Sequence, residues 1–327
     1  MTRRRLPGKP AEEMLPTVEA PDAQAEKAYA ERAKNRGYGL PKFLPMVRVL
    51  KIGARIPNWA WRPLAKFSAW LAVTRDYKAV RQWRLNAQVM LNRTPTRAEC
   101  KAAMESWFES LAGSVQLSKY SPAQNFRRVV IDDADFNRLA DSRRGRGAIV
   151  ALPHMGDYDL AGAYFCAKGL PVSAVGERLP DQEFEYFMTV RQTVGMTVYP
   201  HGDPAVMDTL AADLARGQVV ALVSDRDLSR HSVPVVWRTR SGERHVTMPP
   251  GPALLAQRTG ADLLVAICTY EGKRMRVRMF GPVPVDPGED GVISTSQRLA
   301  DIYCEHVADK VIDWHLMQRF FPGVVAE

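Results

Sequence analysis

Residues 151–162 read ALPHMGDYDLAG, and in them His154 stands five positions before Asp159. A histidine that gives one ring N–H to a carboxylate is locked in one tautomer. Its other nitrogen is then a better general base, because the carboxylate stabilises the imidazolium that forms. With a substrate hydroxyl beside that nitrogen, the pair resembles a hydrolase triad whose nucleophile belongs to the substrate. The chain has no G-x-S-x-G elbow, so a covalent acyl-serine route lacks support. Spacing alone is a weak signal: with 36 acidic residues in 327, each histidine has about a one-in-nine chance of such a neighbour. Of the six histidines only His154 has one; Val206, Val236, Pro250, Val311 and Phe320 follow His201, His231, His245, His306 and His315 at that distance. The competing reading is a core histidine satisfied by a helix-capping acid.

Two further groups could do chemistry. Asp225, Arg226 and Asp227 follow an apolar stretch as DRD, the D-x-D feature with which metal-dependent sugar transferases hold a divalent cation and a nucleotide diphosphate. No nucleotide-binding glycine pattern precedes it, and that reaction leaves His154 without a task. Glu177, Arg178 and Arg191 form, by spacing alone, a surface ion-pair cluster. Arg191 could instead neutralise a phosphate, which a bidentate guanidinium does well. The four cysteines lie far apart with no C-x-x-C pair, which argues against a zinc site and against a disulfide scaffold.

The elements that must position these residues form an alternating pattern. GAIVAL at 147–152 has the character of a buried strand and delivers His154 to its carboxyl end, where ligands collect in open α/β sheets. Gly156 permits a sharp turn, Asp157 is suited to the N-cap, and Asp159 falls in the first helical turn. On a continuous helix a five-residue spacing separates two side chains, so the pair needs the bend that Pro153 to Gly156 supplies. Further strands are expected at 129–131, 171–175, 197–200, 218–224 and in a hairpin over 262–280, with helices between them and a last helix from about Ser294 to Phe321. The expected fold class is α/β, a mixed, largely parallel sheet with helices on both faces. Before it, helices are expected within 43–55, over 61–92, and over 97–117 with Thr96 as cap.

Net charge is +9, and residues 42–84 hold the whole surplus: Lys42, Arg48, Lys51, Arg55, Arg62, Lys66, Arg75, Lys78, Arg81 and Arg84 against Asp76 alone. Trp59, Trp61, Trp70 and Trp83 lie in the same stretch. Aromatics interleaved with basic residues on an amphipathic helix suit an anionic membrane surface. Nucleic acid could use the same charges, and a helix packed on the core with a solvated basic face is the plainest alternative. No run approaches a bilayer-spanning length, and the first residues carry no apolar core of a secretory signal. The expected organisation is a mobile tail over 1–38, a basic, tryptophan-rich membrane-associating segment over 39–120, and an α/β core over 121–327 that forms one domain with that segment.

Four ordered blocks, PHMGDYDLAG, GERLPDQEFEYFMTVRQTVG, DRDLS and TMPPGPALLAQRTGADLLV, resemble the late acyltransferases of lipid A synthesis. They resemble still more their actinobacterial relatives, the phosphatidylinositol mannoside acyltransferases. The resemblance implies a monotopic enzyme on the cytoplasmic face of the inner membrane. Such an enzyme transfers an acyl chain from acyl-CoA as co-substrate, or in some branches from acyl carrier protein, to a sugar hydroxyl of a glycolipid, and needs neither metal nor resident cofactor nor nucleic acid. By this resemblance His154 is the base, Asp159 its orienting acid, and Glu177, Arg178 and Arg191 contact the acceptor, while Asp225, Arg226 and Asp227 play a supporting part. A catalytically silent lipid-binding protein of the same fold is the competing class. The stretch SRHSVPVVWRTRSGERHV is more basic and polar than the family leads one to expect.

Overall fold

The computed structural model describes residues 46–177, 181–226 and 231–326. The expected tail over 1–38, and Arg178 and Asp227, lie outside the described residues.

Four helices come first: α1 (Met46–Arg55), α2 (Asn58–Thr74), α3 (Lys78–Leu91) and α4 (Arg97–Gln116). The single helix expected over 61–92 is two, because the chain turns at Asp76, whose φ of 46° is left-handed. Thr96 caps α4 through a complete capping box with Glu99, each side chain bonding the other residue's backbone N–H. Helix α5 (Pro122–Arg128) leads into β1 (Val129–Val130), and α6 (Asp133–Arg144) into β2 (Ala148–Leu152). There follow α7 (Tyr158–Ala167), β3 (Val172–Gly176), α8 (Asp181–Gln192), β4 (Thr197–Pro200), α9 (Val206–Ala215) and β5 (Val219–Val223). A hairpin of β6 (Val233–Thr239) and β7 (Gly242–Met248) precedes α10 (Gly251–Thr259), β8 (Asp262–Glu271), β9 (Arg274–Val283) and α11 (Gly288–Asp309).

Seven strands make one sheet in the order β1-β9-β8-β2-β5-β3-β4, parallel throughout except between β8 and β9, which the turn at Gly272 joins as an antiparallel hairpin. This is the expected mixed, largely parallel α/β sheet. Both faces are covered, as the alternation along β2 records: Ile149 and Ala151 enter one apolar core with α3, α10 and α11, while Ala148, Val150 and Leu152 enter the other with α7.

Two segments differ from expectation. The last helix ends at Asp309 instead of near Phe321; a short 3-10 turn (Val311–Asp313) and irregular chain follow and run against the loop after β2. The polar stretch after β5 forms the β6–β7 hairpin, whose Trp237 is fully buried and stacks on Trp314 at 5.6 Å, with Phe320 edge-on to both. Val235, Trp237, Val246 and Met248 face the core and Arg238, Glu243 and His245 are exposed, the alternation of a half-buried strand, while Arg244, opposite Trp237, lies half-buried on the core-facing side.

Candidate active site

Strand register decides which acid meets His154. β2 and β5 pair in parallel with Leu152 opposite Val223, so His154 and Asp225 each emerge two residues beyond a matched pair. His154 Nδ1 lies 2.5 Å from Asp225 Oδ1, and the His154 backbone N–H donates to Asp225 Oδ2 at 3.0 Å. The indole N–H of Trp314 donates to the same Oδ2 at 2.9 Å. Asp225 is fully buried, and burial opposes its charge. The neighbouring His154, followed by these N–H donors, outweighs burial and holds the carboxyl below its usual range. With Nδ1–H committed to the carboxylate, Nε2 keeps its lone pair, and 23 % of the His154 side chain remains exposed.

The expectation that Asp159 orients His154 is therefore corrected. Asp159 lies in the first turn of α7, and it accepts two parallel bonds of 2.8 Å from Arg191 of α8 in place of any bond to His154. Burial opposes the charged Arg191, but Asp159 prevails and the guanidinium is held above its usual range. The pair fastens α8 to α7 through a bidentate contact. Gly156 has the positive φ expected of it, 57°, and Asp157 caps α7 by accepting from the Leu160 N–H at 2.9 Å. Asp157 is nearly fully buried, and its other carboxylate oxygen has no hydrogen-bond partner. Burial pushes its carboxyl up to about 7 against the attraction of Arg128, 4.0 Å away.

Glu177, just past β3, and Arg226, just past Asp225, form an ion pair of 2.7 Å next to the dyad. The sites expected separately as GERL and DRD thus meet, because β3 and β5 are sheet neighbours. Asp225 has both oxygens engaged by N–H donors, which makes it a poor cation ligand and removes the main support for the D-x-D reading.

The chain that follows α11 is the part of the site that sequence reasoning missed. The Gly156 N–H donates to the Asp313 carbonyl at 2.9 Å, Met155 bridges Trp314, and the His315 N–H donates to the His154 carbonyl at 2.8 Å. The loop bearing His154 is thus held along its length by residues 313–315. Behind it, Ser106 of α4 donates to Asp313 Oδ1 at 2.7 Å and lies 2.8 Å from His315 Nε2. The serine's one proton goes to the carboxylate, so the imidazole donates Nε2–H to it. Burial, with His154 as a smaller cause, pushes His315 down to about 3, which keeps it neutral. No local pattern in the sequence marks this segment, because a 3-10 turn (Val311–Asp313) and irregular chain carry neither helical nor strand periodicity.

The protein is thus an α/β fold with a histidine–carboxylate pair at the carboxyl ends of its parallel strands, and no serine or cysteine side chain is among the described hydrogen-bond partners of that pair. The chain belongs to the bacterial lipid A biosynthesis acyltransferase family, whose model matches residues 41–322. Among curated proteins it is similar to the phosphatidylinositol mannoside acyltransferase of Mycolicibacterium smegmatis, with 35 % identity over 177 residues that cover 53 % of this chain and 56 % of that protein. It is also similar to the phosphatidylinositol mannoside acyltransferase of Mycobacterium tuberculosis, 34 % identical over 177 residues, 53 % of this chain and 54 % of that one. The matched stretch thus spans about half the length of these curated relatives.

Proposed function

We propose that the protein is an O-acyltransferase that moves a fatty acyl chain from acyl-CoA to a sugar hydroxyl of a glycolipid, the mannose of a phosphatidylinositol mannoside, at the cytoplasmic face of a membrane. The observation that carries this reading is the Asp225–His154 pair, with Nε2 left as an acceptor at the strand ends. In the reaction Nε2 takes the proton of the acceptor hydroxyl as its oxygen attacks the thioester carbonyl. The tetrahedral intermediate then collapses, the carbon–sulfur bond breaks, and the imidazolium returns its proton to the departing thiolate, which leaves the sugar ester and free coenzyme A. Asp225 stabilises the transient imidazolium throughout. Glu177 and Arg226, at the next strand end, are the polar groups assigned to the acceptor sugar and its phosphate.

Family membership and the mannoside acyltransferases among the relatives support the reaction class and the acceptor. The surface supports the location. On α2, Trp59 is 80 % exposed, and Leu64, Phe67 and Trp70 are also exposed large apolar residues, with Ile52 on α1. Exposed Lys51, Arg55, Lys66 and Lys78 flank them. None of the described helices is long and apolar enough to cross a membrane.

The test is incubation of the purified protein with labelled palmitoyl-CoA and a panel of glycolipids that includes phosphatidylinositol mannosides, followed by mass analysis. The expected product carries one added palmitoyl ester on a sugar, and His154→Ala abolishes it while circular dichroism stays unchanged. Transfer that survives in His154→Ala, or folded protein that acylates no glycolipid, overturns the proposal.

A further inference from the structure

Asp225 receives three hydrogen bonds, and two of them come from His154 itself. The third comes from Trp314, which lies 89 residues away along the chain. Trp314 is completely buried and anchored on every side. Its carbonyl accepts the indole N–H of Trp83 on α3 at 3.0 Å, and its ring stacks on Trp237. Asn86, one turn beyond Trp83, donates to the carbonyls of Leu316 and Gln318 at 3.0 and 2.9 Å. Gln82 donates to the Val324 carbonyl and accepts from the Ala326 N–H. One face of α3 therefore clasps the chain after α11, and the residue that this clasp aims at the dyad is Trp314.

We infer that Trp314 is a positioning residue for acyl transfer: its indole N–H fixes the Asp225 carboxylate behind His154 and sets the pH above which His154 is free to act as base. The inference rests on the reading of His154 as that base. A donor at Oδ2 keeps Oδ1 directed at Nδ1 and prevents the carboxylate from turning away. It also draws negative charge off the carboxylate and so moderates how strongly Asp225 stabilises the imidazolium. Without the donor, more charge faces His154, which holds its proton to higher pH, and the orientation of the pair loosens.

The other titratable and charged groups around the dyad are His315 on the clasped chain, Tyr158 on α7, Tyr303 on α11 and the Arg226–Glu177 pair. The Tyr303 phenol is bonded to Ser224 at 2.7 Å, and burial pushes it up; burial pushes His315 down to about 3. Neither changes charge between pH 5 and about 9, where the acid limb of a histidine base is read. Asp157 at the N-cap of α7, pushed up to about 7 by burial, does, and the Asp157→Asn background removes its contribution from the profile.

The experiment measures kcat and KM across pH for wild type, Trp314→Phe and His154→Ala, with palmitoyl-CoA as donor and the acceptor that the wild type acylates. Trp314→Phe is expected to move the acid limb upward by about one pH unit and to lower kcat about tenfold at neutral pH, with KM within about twofold. A structural role alone lowers the folded fraction and leaves the limb in place. In wild-type protein the Trp314 indole N–H resonance is expected to titrate with the same apparent pKa as the limb, while the Trp83 indole, bonded to a carbonyl, stays constant. This measurement needs no folded variant. An unmoved limb in folded Trp314→Phe, or a Trp314 resonance constant across the limb, overturns the inference. Activity that persists in His154→Ala instead overturns the reading of His154 as base, so the two failures are distinguishable.

Discussion

Neutralising Asp225 and neutralising Asp159 should damage this protein in different ways. In Asp225→Asn the partner of Nδ1 no longer fixes the tautomer or stabilises the imidazolium, and kcat is expected to fall by about 10⁴, as for other histidine-orienting acids. Asp159→Asn leaves the dyad intact but strands the mostly buried Arg191 guanidinium. Breaking such a pair costs about 3–5 kcal/mol, toward the lower figure here because a fifth of the Arg191 side chain meets water. Thermal melting should report this loss, with kcat of the folded fraction little changed. Asp157 contributes a pH dependence of stability. Its folded pKa, about 7, is raised above the unfolded value of 3.8, so between these values the folded state holds more protons. Its contribution is therefore most favourable below pH 3.8 and is lost as pH rises through 7, with an upper bound of about 4 kcal/mol. His315 slopes the other way: its folded pKa of about 3 lies below the unfolded 6.5, so stability falls as pH drops from 6.5 toward 3. Denaturant unfolding of Asp157→Asn from pH 4 to 8 should lose the first slope and reveal the second.

The element that carries His154, the proposed base, is the loop from Pro153 to Gly156. Gly156 has a positive φ, and a Cβ placed there would lie 2.6 Å from the Cys268 carbonyl oxygen on β8. Gly156→Ala must push the loop off the sheet, and a displacement of about 1 Å at a reacting atom costs on the order of 10²-fold. A fall in kcat of that size is expected, accompanied by a lower melting temperature because backbone, not a flexible side chain, has to yield. Helix α4 supports the same loop: Ser110 donates to the Gly156 carbonyl at 3.0 Å, and Ser106 holds Asp313 and His315. The basic helical segment, for which a membrane-surface role and packing on the core were both expected, packs α4 behind the loop that carries His154. One of its tryptophans, Trp83, is a core residue with no exposed surface, while Trp59 and Trp70 remain at the surface.

Across the whole molecule, the proposed membrane surface combines the exposed aromatic stripe of α2 with nearby basic residues, and the two would contribute through different forces. Replacing Lys51, Arg55, Lys66 and Lys78 by glutamine should weaken binding to anionic vesicles at low salt and matter little at high salt. Replacing Trp59 and Trp70 by alanine should weaken it at both, as measured by vesicle sedimentation. The chain's own pattern made a good deal legible: apolar strands alternating with helices specified the sheet, Gly156 and Asp157 marked the turn and cap after β2, and a histidine at a strand end marked the site. Those signals are local, set by backbone sterics and by periodicity within a dozen residues. The acid that meets His154 is not local. Asp159 was the nearer candidate along the chain, but a helix rotates it onto Arg191, whereas the register of β2 with β5 carries Asp225 across 71 residues to the imidazole. Trp314 and the clasp on α3 come from still farther away, through side-chain hydrogen bonds that leave no periodic trace. Local pattern by itself determined the strands, the turn and the place of His154 at a strand end; only the pairing of distant strand ends and the packing of the final segment decided the partners of His154, because hydrogen bonds of that kind depend on where folding brings two groups and not on how many residues separate them.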